Sequence, residues 1–252
     1  FYCLPNFHNP AGVTLTEERR SQVIEICRSH HILIVEDNPY GLLGFEGQTY
    51  TALKTLAPDD VVYLGSFSKI FAPGYRVGWA VAPPAVREKM KLASEAAILC
   101  PSSVGQYSIS MYLDQFDWKQ QIREFRTMYR GRRDAMVAAL EEFLPMCRWN
   151  VPDGGFYVWV GLPNGLDAKD MLPRAVTSLV AYVSGTAFYA GGRAGQDHLR
   201  LSFCYPEPVE IREGVRRLSG VVTRDLELLD LFGPTSSHRP SEGVHAPAPD
   251  QI

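Results

Sequence analysis

Three short apolar runs, at residues 1–4, 32–35 and 61–64, constrain this chain more than any other feature. Ile32-Leu33-Ile34-Val35 and Val61-Val62-Tyr63-Leu64 are too short for helices and lack polar alternation. Such runs suit parallel strands covered on both faces. Between the first two, Val23, Ile26, Cys27 and His30 repeat at the spacing of one helix face, and Thr14 with Glu17 reads as a capping box opening that helix. Strand, helix and strand in this order make a βαβ unit, whose crossover is right-handed. The connection from Asp37 to Val61 is long enough to cross back, so residues 61–64 are expected to form a third parallel strand. Residues 77–81 follow too closely for a crossover and are expected to be antiparallel.

Helical patterns then cover residues 85–97, a segment after Pro101, and a long stretch at 118–143 carrying Ile122, Phe125, Tyr129, Met136, Leu140 and Phe143 at helical spacing. Its arginines, Arg123, Arg126, Arg130, Arg132 and Arg133, read as a solvated surface. A second region follows, with strands at 155–160, 180–183 and 199–203 and helices at 168–178 and 208–229. The fold class is therefore α/β, a mostly parallel sheet followed by a smaller α+β domain. The expected division is a large domain over residues 1–115, a small one over 116–232, and a disordered tail at 233–252 with little to bury. The opening Phe1-Tyr2-Cys3-Leu4 reads as the body of a strand, so the chain is expected to be the carboxy-terminal part of a longer protein.

Composition excludes several function classes. A formal charge of −3 provides no basic footprint for nucleic acid or an anionic membrane, and no run approaches the roughly 18 apolar residues of a membrane span. The five cysteines are odd in number and lack C-x-x-C spacing, which points to free thiols in the cytoplasm rather than disulfides or zinc. The six histidines have no metal-ligand spacing, and no metal site is expected.

The chemistry gathers where the strands end. In an open parallel sheet, ligands bind beyond the carboxyl ends of the strands. Asn9 and Asp37 follow the first two strands, and Ser66, Ser68 and Lys69 follow the third, with Arg76 seven residues on. An amine there can form a Schiff base with a carbonyl while hydroxyls and a guanidinium hold a phosphate, which fits pyridoxal 5'-phosphate (PLP). Lys69 can take the aldehyde, and Asp37 can keep the ring nitrogen protonated. Asn9 and Tyr40 are placed for the ring oxygen, and Ser66, Ser68 and Arg76 for the phosphate.

Asn9-Pro10-Ala11-Gly12, Glu36-Asp37-Asn38-Pro39-Tyr40, Ser66-Phe67-Ser68-Lys69 and Pro73-Gly74-Tyr75-Arg76-Val77-Gly78-Trp79 resemble the class I/II, fold-type I aminotransferases. The branch they are most similar to contains 2-aminoadipate, aromatic and branched-chain aminotransferases. The resemblance runs to about residue 230 and implies that Asn9, Asp37, Tyr40, Ser66, Ser68, Lys69 and Arg76 bind PLP. It implies catalytic roles for Lys69, Asp37 and Tyr40, with Lys69 the proton shuttle. Asp197-His198-Leu199-Arg200-Leu201-Ser202-Phe203 is similar to the strand whose arginine grips the substrate α-carboxylate, so Arg200, with Asn9, is the implied substrate contact.

The implied activity is transfer of an amino group between an amino acid and a 2-oxo acid, 2-oxoglutarate being the expected acceptor, by a cytoplasmic homodimer. Two departures are Ser184-Gly185, where Pro-Gly is usual, and Asn38, where a second acid is common. The family's amino-terminal third, with its phosphate-holding turn and ring-stacking aromatic, has no counterpart here, so the large domain is incomplete and this chain alone is expected to be inactive. The effector domain of a winged-helix transcription regulator, or a PLP lyase or decarboxylase, would carry the same motifs.

Overall fold

The structure, a computed structural model, describes residues 1–163 and 165–233; all but the first residue of the expected tail lies outside them. The chain divides into two compact units. The first comprises Phe1–Asn9, Val13–Tyr129 and Asp153–Gly155, the second Pro10–Gly12, Arg130–Pro152 and Phe156–Ile252.

The first unit is built on a four-stranded sheet in the order β1 (Tyr2–Cys3), β2 (Ile34–Asp37), β3 (Val61–Ser66), β4 (Gly78–Val81). β1, β2 and β3 are parallel, while β4 runs antiparallel to β3, as the spacing of the apolar runs required. Helix α1 (Glu17–Ser29) makes the crossover, and the short α2 (Leu53–Leu56) precedes β3. Ile24, Cys27, Ile34, Leu53, Ala57 and Val61 form one buried cluster between these helices and the sheet. Each large aliphatic side chain so buried contributes about 1.5–3 kcal/mol. Helices α3 (Pro84–Ile98) and α4 (Ser103–Gln115) follow, and α5 (Trp118–Phe143) has residues in both units.

Some local expectations shift by one or two residues. The N-cap of α1 is Thr16, not Thr14: its hydroxyl accepts from Arg19 N–H at 3.2 Å, while the Thr14 hydroxyl accepts from Phe7 N–H at 3.0 Å. The buried face of α1 is Arg20, Ile24 and Cys27, with Ile26 and His30 exposed. The helical period holds, but Arg20 turns the face by drawing four oxygens around its guanidinium. β2 begins at Ile34 because its ladder with β3 starts at the Ile34–Val61 pair, leaving Ile32 and Leu33 exposed before it. The arginines of α5 are not uniformly solvated. Arg132 is buried and donates to Cys204 O and Glu207 Oε1, and Arg126 Nε donates to Leu42 O.

The second unit has an antiparallel sheet in the order β5 (Arg148–Trp149), β6 (Tyr157–Gly161), β8 (His198–Ser202), β7 (Val183–Ser184). Val158, Val160, Leu199 and Leu201 occupy one face of the sheet and are buried. The unit also contains α6 (Ala168–Thr177) and α7 (Pro208–Phe232), whose Met171, Ala175, Leu218 and Val222 are buried. Asp167 caps α6, and α7 opens on a capping box of Glu207 and Glu210. Among the described residues no helix is long and apolar enough to cross a membrane.

Candidate active site

Asp37 is the last residue of β2, and the pleat decides what surrounds it. Side chains alternate along a strand, so Glu36 and Asn38 point to one face and Val35 and Asp37 to the other. Glu36 faces the protein: it is fully buried, and its two oxygens accept from Leu53 N–H at 3.1 Å and Lys54 N–H at 2.9 Å. Burial pushes its carboxyl above the usual range, opposed by those two N–H donors and by the charge of Arg20. Asn38 accepts from Asn6 Nδ2 at 2.9 Å and donates to the Tyr63 hydroxyl at 3.2 Å, while its backbone N–H donates to Leu64 O at 3.0 Å. On the other face Asp37 is half-buried, and its Oδ2 accepts from the Tyr2 hydroxyl at 2.5 Å.

Asp37 pairs in register with Leu64, so Leu64 and Ser66 share its face of the sheet. Ser66 closes β3, and its Oγ accepts from Ser68 N–H at 3.1 Å. Phe67 N–H donates to Val77 O, and Phe71 N–H to Phe67 O at 2.9 Å, closing one helical turn that carries Ser68 and Lys69. Lys69 is half-buried and makes no hydrogen bond or ion pair among the described residues. A 3-10 turn at Pro73–Tyr75 leads to Arg76, exposed and held in the left-handed region at φ 54°. That conformation is costly for a non-glycine residue. Its Nη1 donates to Pro73 O at 3.3 Å. Gly65 has a steric reason: a Cβ there would stand 2.2 Å from the Trp79 indole.

Asn9 is half-buried in the loop after β1, and Tyr40 is buried in the turn after β2, its carbonyl accepting from Leu43 N–H at 2.7 Å. Asn9, Asp37, Tyr40, Ser66, Ser68, Lys69 and Arg76 thus all belong to the first unit, at or beyond strand ends.

Arg200 belongs to the second unit, in the middle of β8, opposite Trp159 of β6 and Val183 of β7. Its guanidinium carbon lies 4.1 Å from the Tyr157 ring centroid and 5.1 Å from that of Phe188. Its Nε atom is buried and, among the described residues, has no hydrogen-bond partner of its own. A plain solvent-facing strand arginine would have none of these features.

Sequence reasoning missed Tyr2, Asn6, Arg20 and Tyr63, which hold the end of β2 and its neighbouring loops. One signal was available: Arg20 sits on the apolar stripe of α1, and a cation there must find buried acceptors. Nothing in the sequence marked Tyr157 and Phe188 as the rings around Arg200.

The family model described as "Aminotransferase class I and II" matches residues 2–218. Aromatic-amino-acid aminotransferase 1 of Thermococcus litoralis is 41% identical over 228 residues, 90% of this chain and 54% of the relative. The solved structure of LysN, an alpha-aminoadipate aminotransferase of Thermus thermophilus complexed with N-(5'-phosphopyridoxyl)-L-leucine, superposes with a TM-score of 0.86 at 34% identity. It covers 90% of this chain and 59% of that one. A Bacillus subtilis protein named uncharacterized HTH-type transcriptional regulator YisV is 30% identical, covering 88% of this chain and 46% of its own length. The chain thus spans about half the length of these relatives. With the motifs at the strand ends, the mostly parallel sheet and a family match across most of its length, the chain belongs to the class I and II aminotransferases.

Proposed function

We propose that the protein is a PLP-dependent amino-acid aminotransferase, moving an amino group between an amino acid and a 2-oxo acid, with 2-oxoglutarate as the acceptor. The observation that carries this reading is the shared sheet edge: Asp37 and Ser66 end adjacent parallel strands on one face, and Lys69 follows in the next turn. The names of the relatives support an aromatic amino acid or 2-aminoadipate as donor.

The residues present fit the cofactor. The Lys69 amine is not engaged by another side chain, and Asp37 has one carboxylate oxygen left after its bond to Tyr2. Ser66 uses its oxygen as an acceptor for Ser68 N–H, which leaves its hydroxyl proton for a phosphate. Arg76 has spent a single N–H on Pro73 O, and its remaining donors suit a bidentate phosphate contact.

When bound, PLP supplies an aldehyde for an amine and a ring that draws electrons from the bond to be broken. Lys69 would hold the aldehyde carbon and would move the proton at the substrate Cα. Asp37 would face the ring nitrogen and hold a proton there, while Tyr40 and Asn9 would hold the ring oxygen. Ser66, Ser68 and Arg76 would hold the phosphate, and Arg200 and Asn9 are the groups proposed for the α-carboxylate.

Lys69→Ala tests the proposal. It should abolish the cofactor absorbance band and cut amine transfer by about 10²–10⁴-fold; a variant transferring at the wild-type rate would refute it. Labelled donor amine must appear in glutamate, which separates transfer from a lyase or decarboxylase. The likeness to YisV supports a second reading, an effector domain that binds PLP without turnover, and the same label decides it. We further place the protein in the cytoplasm as a homodimer. Leu92, Ile98, Val104, Tyr107 and Met111 on α3 and α4 are exposed apolar side chains of the kind an interface covers, and light scattering measures the assembly.

A further inference from the structure

The end of β2 is gripped by a tyrosine on each face. Tyr63 of β3 stands opposite Glu36 and reaches one pleat period along to Asn38. Tyr2 of β1 stands opposite Val35 and reaches the same distance along the other face to Asp37. The backbone between them is tied by Asn38 N–H to Leu64 O at 3.0 Å.

The two grips leave different things behind. Both amide groups of Asn38 are engaged, by Asn6 and Tyr63, so that side chain is used up in structure. Asp37 has Oδ2 engaged and Oδ1 without a partner among the described residues. The terminal torsion of an aspartate is broad and roughly two-fold, so a carboxylate fixed only through its backbone would rotate. A hydroxyl donated to Oδ2 at 2.5 Å removes that freedom. A hydrogen bond donated to a carboxylate is charge-assisted and stronger than a neutral one. Tyr2 is suited to remain a donor. Partial withdrawal from water, then the hydrogen bond and charge of Asp37, push its ionisation upward.

We propose that Tyr2 is a positioning residue for the ring-nitrogen contact of Asp37. It sets the plane of the carboxylate, presents Oδ1 as the single acceptor for the ring N–H, and keeps that proton on the nitrogen. This rests on the reading of Asp37 given under the proposed function. Tyr2 itself touches neither substrate nor cofactor. Water competes for this hydrogen bond while the pair is open to solvent, and the bond strengthens once a bound ring covers it.

The test is Tyr2→Phe in the full-length protein, loaded with PLP carrying a ¹⁵N ring label. Tyr2→Phe removes one oxygen and keeps the ring, and circular dichroism checks that the fold is intact. The ring-nitrogen resonance should move from the pyridinium position toward neutral pyridine. The kcat should fall about tenfold, the worth of one charge-assisted hydrogen bond, with KM changed by less than about twofold. In an Asp37→Ala background, Tyr2→Phe should add nothing to the loss of PLP affinity. A ring-nitrogen signal and kcat equal to wild type would overturn the inference, as would a Tyr2→Phe penalty of equal factor with and without Asp37. Failure of the wild-type protein to take up PLP would refute the reading of the site and this inference together, whereas normal uptake with a ring-nitrogen signal and kcat unaltered by Tyr2→Phe refutes the inference alone.

Discussion

Each unit sets an arginine against aromatic rings, fully buried in the first and half-buried in the second, and the two differ in their surroundings. Arg20 in the first unit is fully buried; Nε donates to Leu15 O, Nη1 to Thr51 O, and Nη2 to Pro5 O and Asn6 Oδ1. Its guanidinium also lies 5.3 Å from the Tyr50 centroid. Arg200 in the second unit has rings at 4.1 and 5.1 Å and a buried Nε with no hydrogen-bond partner among the described residues. Buried donors cost free energy when unmade. The first arginine assembles loops through its donors, whereas the second is set against rings, and its unmet Nε is a feature it shares with Arg132.

The contrast is sharpest in the variants. Arg200→Ala should lower kcat/KM for the amino acid by about 10²-fold or more, the loss of a fork paired with a carboxylate, with the cofactor spectrum unchanged. Steady-state kinetics beside absorbance would check this, and a variant losing stability instead of activity would break the comparison. Arg20→Met should do the reverse. Pro5, Leu15 and Thr51 carbonyls and Asn6 lose their donor, so unfolding in urea should show a loss of about 2–4 kcal/mol. The activity of the molecules that remain folded should change little.

A smaller effect tests the stack itself. Tyr157→Leu keeps Arg200 but removes the closer ring, and should raise KM by about 3–10-fold, the range of one cation–π contact. An unchanged KM would mean that the ring merely fills space. The smallest effect belongs to Glu36. Its folded form holds the proton more tightly than the unfolded chain does, chiefly because it is buried. Its contribution to stability is therefore complete below the ordinary carboxylate value of about 4.3 and is lost as pH rises through the folded value. Glu36→Gln should flatten the stability profile across that window, as thermal unfolding at a series of pH values would show.

Much of the first unit could be read in advance because its signals are local. Apolar runs without alternation marked β2 and β3, the short spacing after Lys69 marked β4 as antiparallel, and the motif residues sit where strands stop. What escaped was phase and partnership. Thr16 rather than Thr14 caps α1, and Arg20 rather than Ile26 faces inward, because acceptors from Pro5, Asn6, Leu15 and Thr51 had first to be brought together by folding. Arg200 was the harder case. Alternation placed it on the face away from Leu199 and Leu201, yet whether that face met water or rings depended on register with β6.

By itself the amino-acid order determined the succession of strands and helices, the strand ends that carry Asp37, Ser66 and Lys69, and the family to which the chain belongs. These rest on periodicity and short spacings, which act over a few residues. Tertiary structure alone decided that Tyr2 meets Asp37 and Tyr63 meets Asn38, that Arg20 donates four hydrogen bonds to gathered oxygens, and that Arg200 lies beside two rings. Each of those contacts joins residues distant in sequence, and a shift of one residue in strand register would send the side chain to the opposite face.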